Sequence, residues 1–338
     1  MVFGPLADGK LLTEKFGAGN NFIFAISISA TVIVISALST LLYHWKILPR
    51  IVHAMAVVMQ RAMKTSGSES LAAAANIFMG QTEAALVVKA YLPGMTRSEI
   101  MALMTAGMAT IASGVLVVYA LLGVSSGHLL TASVLSAPAA LLIAKIMLPE
   151  TQPSETASTS PLKVEQTTVN AVDALCRGAS EGVYLAINIM GMLIAFVAVV
   201  ALVNFLLAWS QRKFGVHTPV TLQNILGWLN APFAWLMGVP WKDCDMIGQI
   251  LGERIVLNEF FGYFTLVKQK ANLDERSVIL ATYALCGFAN FSSIAIQIGG
   301  ISALAPNRRS DLAQLGMRAM IGGLLASYLT ATVVGILI

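Results

Sequence analysis

Five stretches of the chain, 16–45, 101–144, 182–211, 277–307 and 319–338, carry no Asp, Glu, Lys or Arg. Each reaches the ~20 residues that an α-helix needs to cross the hydrocarbon core of a bilayer. The second is long enough for two helices, separated near Ser125-Ser126-Gly127-His128. The pattern predicts six full spans, at about 22–45, 100–122, 129–148, 182–209, 274–299 and 314–338. Period-2 alternation in short, turn-delimited segments is absent, which excludes a transmembrane barrel. The expected fold is an all-α polytopic membrane protein.

Two further apolar pieces are too polar at their centres to be straight spans. Segment 66–92 runs through Ala72-Ala73-Ala74-Ala75 and Asn76 to Gly80-Gln81-Thr82-Glu83, then turns apolar again. One straight helix would hold Glu83 at mid-depth, where an ionisable side chain is costly unless it faces a cavity and has a task there. Two half-length helices meeting at Gly80 to Glu83 instead form a re-entrant hairpin with its polar tip at the midplane. Segment 243–268 repeats the pattern, with an expected polar break at Gly252-Glu253-Arg254 and a second leg carrying Glu259. Irregular backbone at that depth is tolerated only where it is buried in protein or lines a cavity.

Each hairpin precedes two spans, and an odd number of spans separates the hairpins, so the second enters from the opposite side. Inverted repeats whose broken helices meet at the midplane are an architecture of secondary transporters. The span after each hairpin carries its own polar, small-residue interruption, Thr110-Ile111-Ala112-Ser113-Gly114 in one and Gly287-Phe288-Ala289-Asn290-Phe291-Ser292-Ser293 in the other. Between the repeats lies a Pro/Ser/Thr-rich polar loop, 149–161, with nothing to bury. Two interfacial amphipathic helices are expected beyond it. One places Val169, Val172, Leu175 and Cys176 on a common face, and the other, 220–237, has Leu222, Ile225, Leu226, Leu229 and Phe233 on an apolar side. The organisation is then 1–62, a scaffold helix and an interfacial helix; 63–148, the first repeat; 149–242, the loop, interfacial helices and scaffold span 182–209; and 243–338, the second repeat.

Composition agrees with the bilayer as solvent: 57% hydrophobic and 11% charged residues, with a mean hydropathy of +0.77. The formal charge of +4 does not point to nucleic acid, because the basic residues sit scattered at the ends of apolar segments rather than clustered among aromatics. They read as interfacial anchors, as do the five tryptophans near span ends. Cys176, Cys244 and Cys286 have no metal-ligand spacing. The four histidines lack paired spacing and lie away from the polar interruptions, so no enzyme constellation is expected. No rings of charge or carbonyls line a continuous path, as a channel would require. No cleavable signal peptide is evident in 1–20, and the first span is expected to direct insertion.

Three strings carry a resemblance to a known family: Gly80-Gln81-Thr82-Glu83-Ala84; Gly252-Glu253-Arg254-Ile255-Val256-Leu257-Asn258-Glu259-Phe260-Phe261-Gly262-Tyr263; and Cys286-Gly287-Phe288-Ala289-Asn290-Phe291-Ser292-Ser293. In this order, and within the hairpins and a broken span, they resemble the concentrative nucleoside transporters, cation-coupled nucleoside symporters, over about residues 20–338. Arg254 stands where the family usually has Lys, and Phe261-Gly262 where it has Val-Ala. Family members usually carry further N-terminal spans, and this chain begins just before what looks like the third, as a shortened transporter or an incomplete chain.

The resemblance implies a substrate site of Gln81, Thr82, Glu83, Val115, Glu259, Phe288, Asn290 and Ser293. Gln81, Thr82 and Glu83 offer a nucleobase both donors and acceptors, while Glu259 with Asn290 and Ser293 suits the ribose hydroxyls, and Val115 and Phe288 supply an apolar wall. It implies a sodium site from the side chains of Asn76 and Thr110 and the backbone carbonyls of Met79 and Ile111. The expected function is sodium-coupled import of nucleosides such as uridine, cytidine or adenosine across the inner (plasma) membrane by a homotrimer. The alternatives are proton coupling through Glu83 or Glu259, or a channel-like or other small-solute transporter. Sodium is favoured because the implied ligands are neutral oxygens with no titrating group.

Overall fold

The computed structural model of the protein describes residues 9–16, 24–157 and 168–338, and no β-strand occurs among them. They divide into two compact units. The first holds α1 (Gly9–Phe16), α2 (Phe24–His44) and residues 171–196 of α9 (Ala171–Lys213). Here α9 lies directly on the backbone of α2: a Cβ at Gly178 would come within 2.6 Å of the Ser36 carbonyl, and one at Gly182 within 2.6 Å of Ile33 Cα. The small-xxx-small pair lets the two backbones meet, the usual device for packing helices where lipid removes the hydrophobic drive to associate.

The second unit holds α3 (Ile47–Met63), the rest of α9, and eleven more α-helices. Its order shows an internal repeat. A broken pair, α4 (Gly67–Asn76) and α5 (Glu83–Val87), is followed by a second broken pair, α6 (Arg97–Ala109) and α7 (Ser113–Leu121), and then by α8 (Ser126–Met147). After α10 (Leu222–Leu236) the series returns as α11 (Cys244–Val256) and α12 (Glu259–Gln269), α13 (Glu275–Leu285) and α14 (Phe291–Leu304), then α15 (Arg309–Leu337). Among the described residues, 97–121, 126–147 and 306–337 are each long and apolar enough to cross a membrane. The stretch expected as one span over 274–299 is two shorter helices, α13 and α14, with the chain opened at Cys286 to Asn290.

Starts of the repeats are fixed by capping. Ser66 and Glu69 form a reciprocal capping box on α4, and Thr96 and Glu99 form one on α6, each satisfying two orphan amide hydrogens. The boxes are tied together, since Ser68 Oγ donates to Glu99 Oε1 at 3.0 Å. Lys145, from the end of α8, closes the group on Glu69 at 2.6 Å.

Three sequence expectations need correction. The polar loop over 149–161 is described to residue 157, and its described part is pinned: the Thr156 carbonyl accepts from Gly67 N at 3.0 Å, and Ser154 Oγ donates to Glu99 at 2.6 Å. Short hydroxyl side chains here satisfy the open amide groups of α4, a use for which polarity alone gives no cue. Residues 158–161 of that loop lie outside the described residues. Secondly, no break separates an amphipathic helix from the scaffold span, because α9 runs without interruption for 43 residues, with no Gly-Pro or capping signal inside it to stop it. The helix α10 turns its small residues inward. Gly227, Asn230 and Ala234 are buried, and a Cβ at Gly248 of α11 would meet the Gly227 carbonyl at 2.4 Å. Leu229 and Phe233, expected on the apolar side of an interfacial helix, are exposed, as are Trp228 and Trp235. Thirdly, Gly252-Glu253-Arg254 does not break the second pair but lies inside α11. Gly252 serves close packing, since a Cβ there would strike Leu226 at 2.3 Å, and Glu253 is satisfied by Thr265 Oγ1 at 2.6 Å. The break falls at Leu257 and Asn258.

Candidate functional site

Four chain breaks converge in the second unit. In the first, residues 77–82 leave the helix and Phe78 offers its carbonyl to Ser113 N at 3.3 Å, joining the α4–α5 tip to the α6–α7 break. That break, Thr110 to Ala112, in turn accepts from the α13–α14 break, where Phe288 N donates to the Thr110 carbonyl at 3.3 Å. The contact is backbone on backbone, because a Cβ at Gly287 would come within 2.7 Å of the Met108 carbonyl. The fourth break sets Asn258 in an extended conformation, from which its side chain caps α12 by accepting from Phe261 N at 3.2 Å. Glu259 is therefore the first residue of a helix, where the positive end of the peptide dipoles favours a carboxylate.

Glu259 is 5% exposed and receives two donors. Tyr119 of α7 donates to Oε1 at 2.7 Å, and Asn290 Nδ2 donates to Oε2 at 3.1 Å. Asn290 is itself the N-cap of α14, with Oδ1 accepting from Ser293 N at 2.9 Å and from Ser292 Oγ at 2.7 Å. Ser293 Oγ accepts from Gln81 Nε2 at 3.3 Å, and Gln81 Oε1 accepts from Gln297 Nε2 at 3.0 Å. The same Gln297 nitrogen donates to the Met104 carbonyl at 3.0 Å. A single hydrogen-bonded chain thus runs from Tyr119 through Glu259, Asn290, Ser293, Gln81 and Gln297 to the backbone of α6, joining both repeats.

Of the sequence-derived site residues, Gln81, Glu259, Asn290 and Ser293 lie in this chain. Glu83 folds back on its own tip and accepts from Gly80 N at 2.9 Å. Thr82 packs its methyl group over Gly300, where a Cβ would come within 2.4 Å of Cγ2. Val115 is buried on α7 one turn before Tyr119, and Phe288 is half-buried in the α13–α14 break. Tyr119 and Gln297 were absent from the sequence-derived set. Each lies four residues beyond a predicted site residue on the same helix, after Val115 and Ser293 respectively, and residues so spaced share a helix face.

The oxygen set implied for a cation has a distinct character. Asn76 is fully buried; its Nδ2 donates to the Ala72 carbonyl at 3.0 Å, and its Oδ1 has no hydrogen-bond partner among the described residues. Thr110 spends its hydroxyl hydrogen on the Ala106 carbonyl at 2.9 Å. Asn76 Oδ1 and Thr110 Oγ1 therefore both present oxygen lone pairs. Met79 and Ile111 lie in the two breaks beside them. Carboxamide, hydroxyl and carbonyl oxygens suit a hard cation.

Arg254 is fully buried in α11. Its guanidinium donates to the Ala284 carbonyl, in the last turn of α13, and to Ser327 Oγ at 3.0 Å. A cation thus rests against the negative end of the half-helix that leads into the Cys286–Asn290 break.

Residues 128–335 match the family described as Na+ dependent nucleoside transporter C-terminus, and residues 25–126 match one described as Nucleoside recognition. The chain is 41% identical over 339 residues to the uncharacterised transporter YutK of Bacillus subtilis, covering 100% of this chain and 81% of that protein. It is 40% identical over 342 residues to the nucleoside permease NupC of Helicobacter pylori, covering 100% and 80%. Sodium/nucleoside cotransporter 1 of Rattus norvegicus is 39% identical over 331 residues, covering 93% of this chain and 51% of that one. The solved structure of CNTnw in an inward-facing substrate-bound state superposes with a TM-score of 0.92 at 39% identity, covering 99% of this chain and 79% of that one.

Proposed function

The chain belongs to the concentrative nucleoside transporter family, and from that premise we propose that it carries nucleosides through the membrane by symport with sodium. The observation that carries the sodium reading is the buried Asn76 Oδ1, which has no hydrogen-bond partner among the described residues; Thr110, the other side chain of the implied set, has already spent its hydroxyl hydrogen. Removing a buried acceptor from water without a partner costs about 1–3 kcal/mol, and a cation at that place would repay the cost. A proton needs a titrating group, and Asn76 and Thr110 are not such groups.

For the substrate, Glu259 accepts hydrogen bonds at the start of a helix beside Asn290 and Ser293, and this supports it as the reader of the ribose hydroxyls. Gln81, with Thr82 and Glu83 at the α4–α5 tip, is the reader of the base, and Val115 and Phe288 form the apolar wall. The α4–α5 and α11–α12 pairs act as re-entrant hairpins of an inverted repeat, meeting at mid-depth. Uridine, cytidine and adenosine are the expected cargo, and the expected assembly is a homotrimer in the inner membrane.

The test is uptake of radiolabelled uridine into proteoliposomes under imposed gradients at fixed potential. Accumulation that requires an inward sodium gradient supports the reading. Uptake that ignores sodium and follows an imposed pH gradient sinks it and moves coupling to Glu83 or Glu259.

A further inference from the structure

The orientation of a carboxamide decides whether it offers a donor or an acceptor, and in this site the orientation of Gln81 is settled from outside the base-reading tip. The Met104 carbonyl is a backbone group and can only accept. The nitrogen of Gln297, 3.0 Å away, must therefore face it. That nitrogen also faces Gln81 at 3.0 Å, so the Gln81 atom opposite it is the oxygen, because two amide nitrogens would set donor against donor. Gln81 is left with its nitrogen on the other side. One of its hydrogens goes to Ser293 Oγ, and one remains.

Two details show that the arrangement is held. Gln297 is fully buried and its own oxygen has no partner among the described residues, an arrangement that persists only because the reverse would press its carbonyl against that of Met104. The space is closed as well: a Cβ at Gly107 would come within 2.6 Å of Gln297 Nε2 and 3.0 Å of Gln81 Cβ.

We propose that Gln297 is a specificity-determining residue, fixing Gln81 as a hydrogen-bond donor so that the site selects bases presenting an acceptor edge at that point. The inference rests on the reading of Gln81 as a base contact. Uridine and cytidine are the natural probes, since they share ribose, ring size and shape but exchange donor and acceptor at ring positions 3 and 4.

The experiment measures binding of uridine, cytidine and 2′-deoxyuridine to the purified full-length protein and to Gln297→Leu and Gln297→Glu. Leu leaves Gln81 free to turn either way. Glu turns it over, because a carboxylate accepts from the Gln81 nitrogen, and a protonated carboxyl can do the same while donating to Met104. The uridine-to-cytidine affinity ratio is expected to move about fivefold or more toward unity in the Leu variant and further in the same direction in the Glu variant, the scale of one hydrogen bond exchanged. The uridine-to-2′-deoxyuridine ratio moves less than the base ratio, since the ribose reader Ser293 is reached only through its one bond to Gln81. An unchanged base ratio in both variants, or equal loss of all three ligands, overturns the proposal. If neither variant folds, the parent protein decides: at least one uridine analogue lacking a single base carbonyl must bind about tenfold more weakly, and analogues that all bind like uridine overturn it. Gln81→Ala separates the two levels. If it leaves base ratios unchanged, the base-reading role of Gln81 fails; if it changes them while the Gln297 variants do not, only the role of Gln297 fails.

Discussion

Tyr119 and Glu259 meet across the two repeats: the phenol on α7 donates to the carboxylate at the head of α12 over 2.7 Å, with the ring of Tyr263 4.4 Å from that of Tyr119. The phenol fixes one carboxylate oxygen while Asn290 fixes the other. Tyr119→Phe removes the donor and keeps the ring. A hydrogen bond to a charged group is worth about 1.5–3 kcal/mol, so affinity for all ribosides should fall about tenfold or more together, with the uridine-to-cytidine ratio held. Titration calorimetry on the purified variant checks this; unchanged uridine affinity would remove Tyr119 from the site.

Glu259→Gln keeps the shape but exchanges one acceptor for a donor. Tyr119 and Asn290 both donate towards this group, and the new amide nitrogen must oppose one of them. Uridine transport should drop by about a hundredfold or more, the scale of a buried polar group left mispaired together with a lost substrate contact. The protein should still elute as a folded species in detergent. Near-normal uptake would refute the ribose role.

Asn76→Ala removes the orphaned oxygen one helical turn before the α4–α5 tip. Coupling between two sites is reciprocal, so uridine affinity in the parent should rise with sodium at constant pH. In the variant the sodium concentration for half-maximal effect should increase about tenfold, with a smaller deficit at saturating sodium. A variant whose sodium curve overlays that of the parent would take Asn76 out of the ion site.

Gly107→Ala places a methyl group where Gln297 and Gln81 already sit. Overpacking of this kind costs about 1–3 kcal/mol, so the melting temperature should fall by several degrees. Base selectivity should change while the penalty for a missing 2′-hydroxyl does not. A stable variant with parental selectivity would show that the pair yields without cost.

Much of this arrangement was legible in the sequence because breaks in membrane helices need polar or small residues, and these stand out in apolar surroundings. The tip at Gly80 to Glu83, the interruption at Thr110, and Asn290 with Ser293 were found in that way. Tyr119 and Gln297 were not, because an aromatic or amide residue on an apolar helix face looks like packing until its partner is known. Their spacing of four from Val115 and Ser293 was the available signal. The break at Leu257 and Asn258 was misplaced to Gly252-Glu253-Arg254, since a charged triplet resembles an interruption when its partners, Thr265 and the Ala284 carbonyl, lie elsewhere in the chain.

Arg254 carries a consequence for energetics. The charged side chains at the four chain breaks are Arg254, positive, and Glu83 and Glu259, negative, so the protein's own contribution around the cargo sums to one negative charge. A nucleoside adds none. With one sodium ion as the coupling ion, the loaded site would be neutral and the empty one negative, and a full transport cycle would be electrogenic: the voltage contributes up to about 2.3 kcal/mol per 100 mV for each full charge carried across. Under that coupling an inside-negative membrane would push the empty site outward and leave the loaded one almost indifferent to voltage, so the direction of net transport would be set by the potential as well as by the ion gradient.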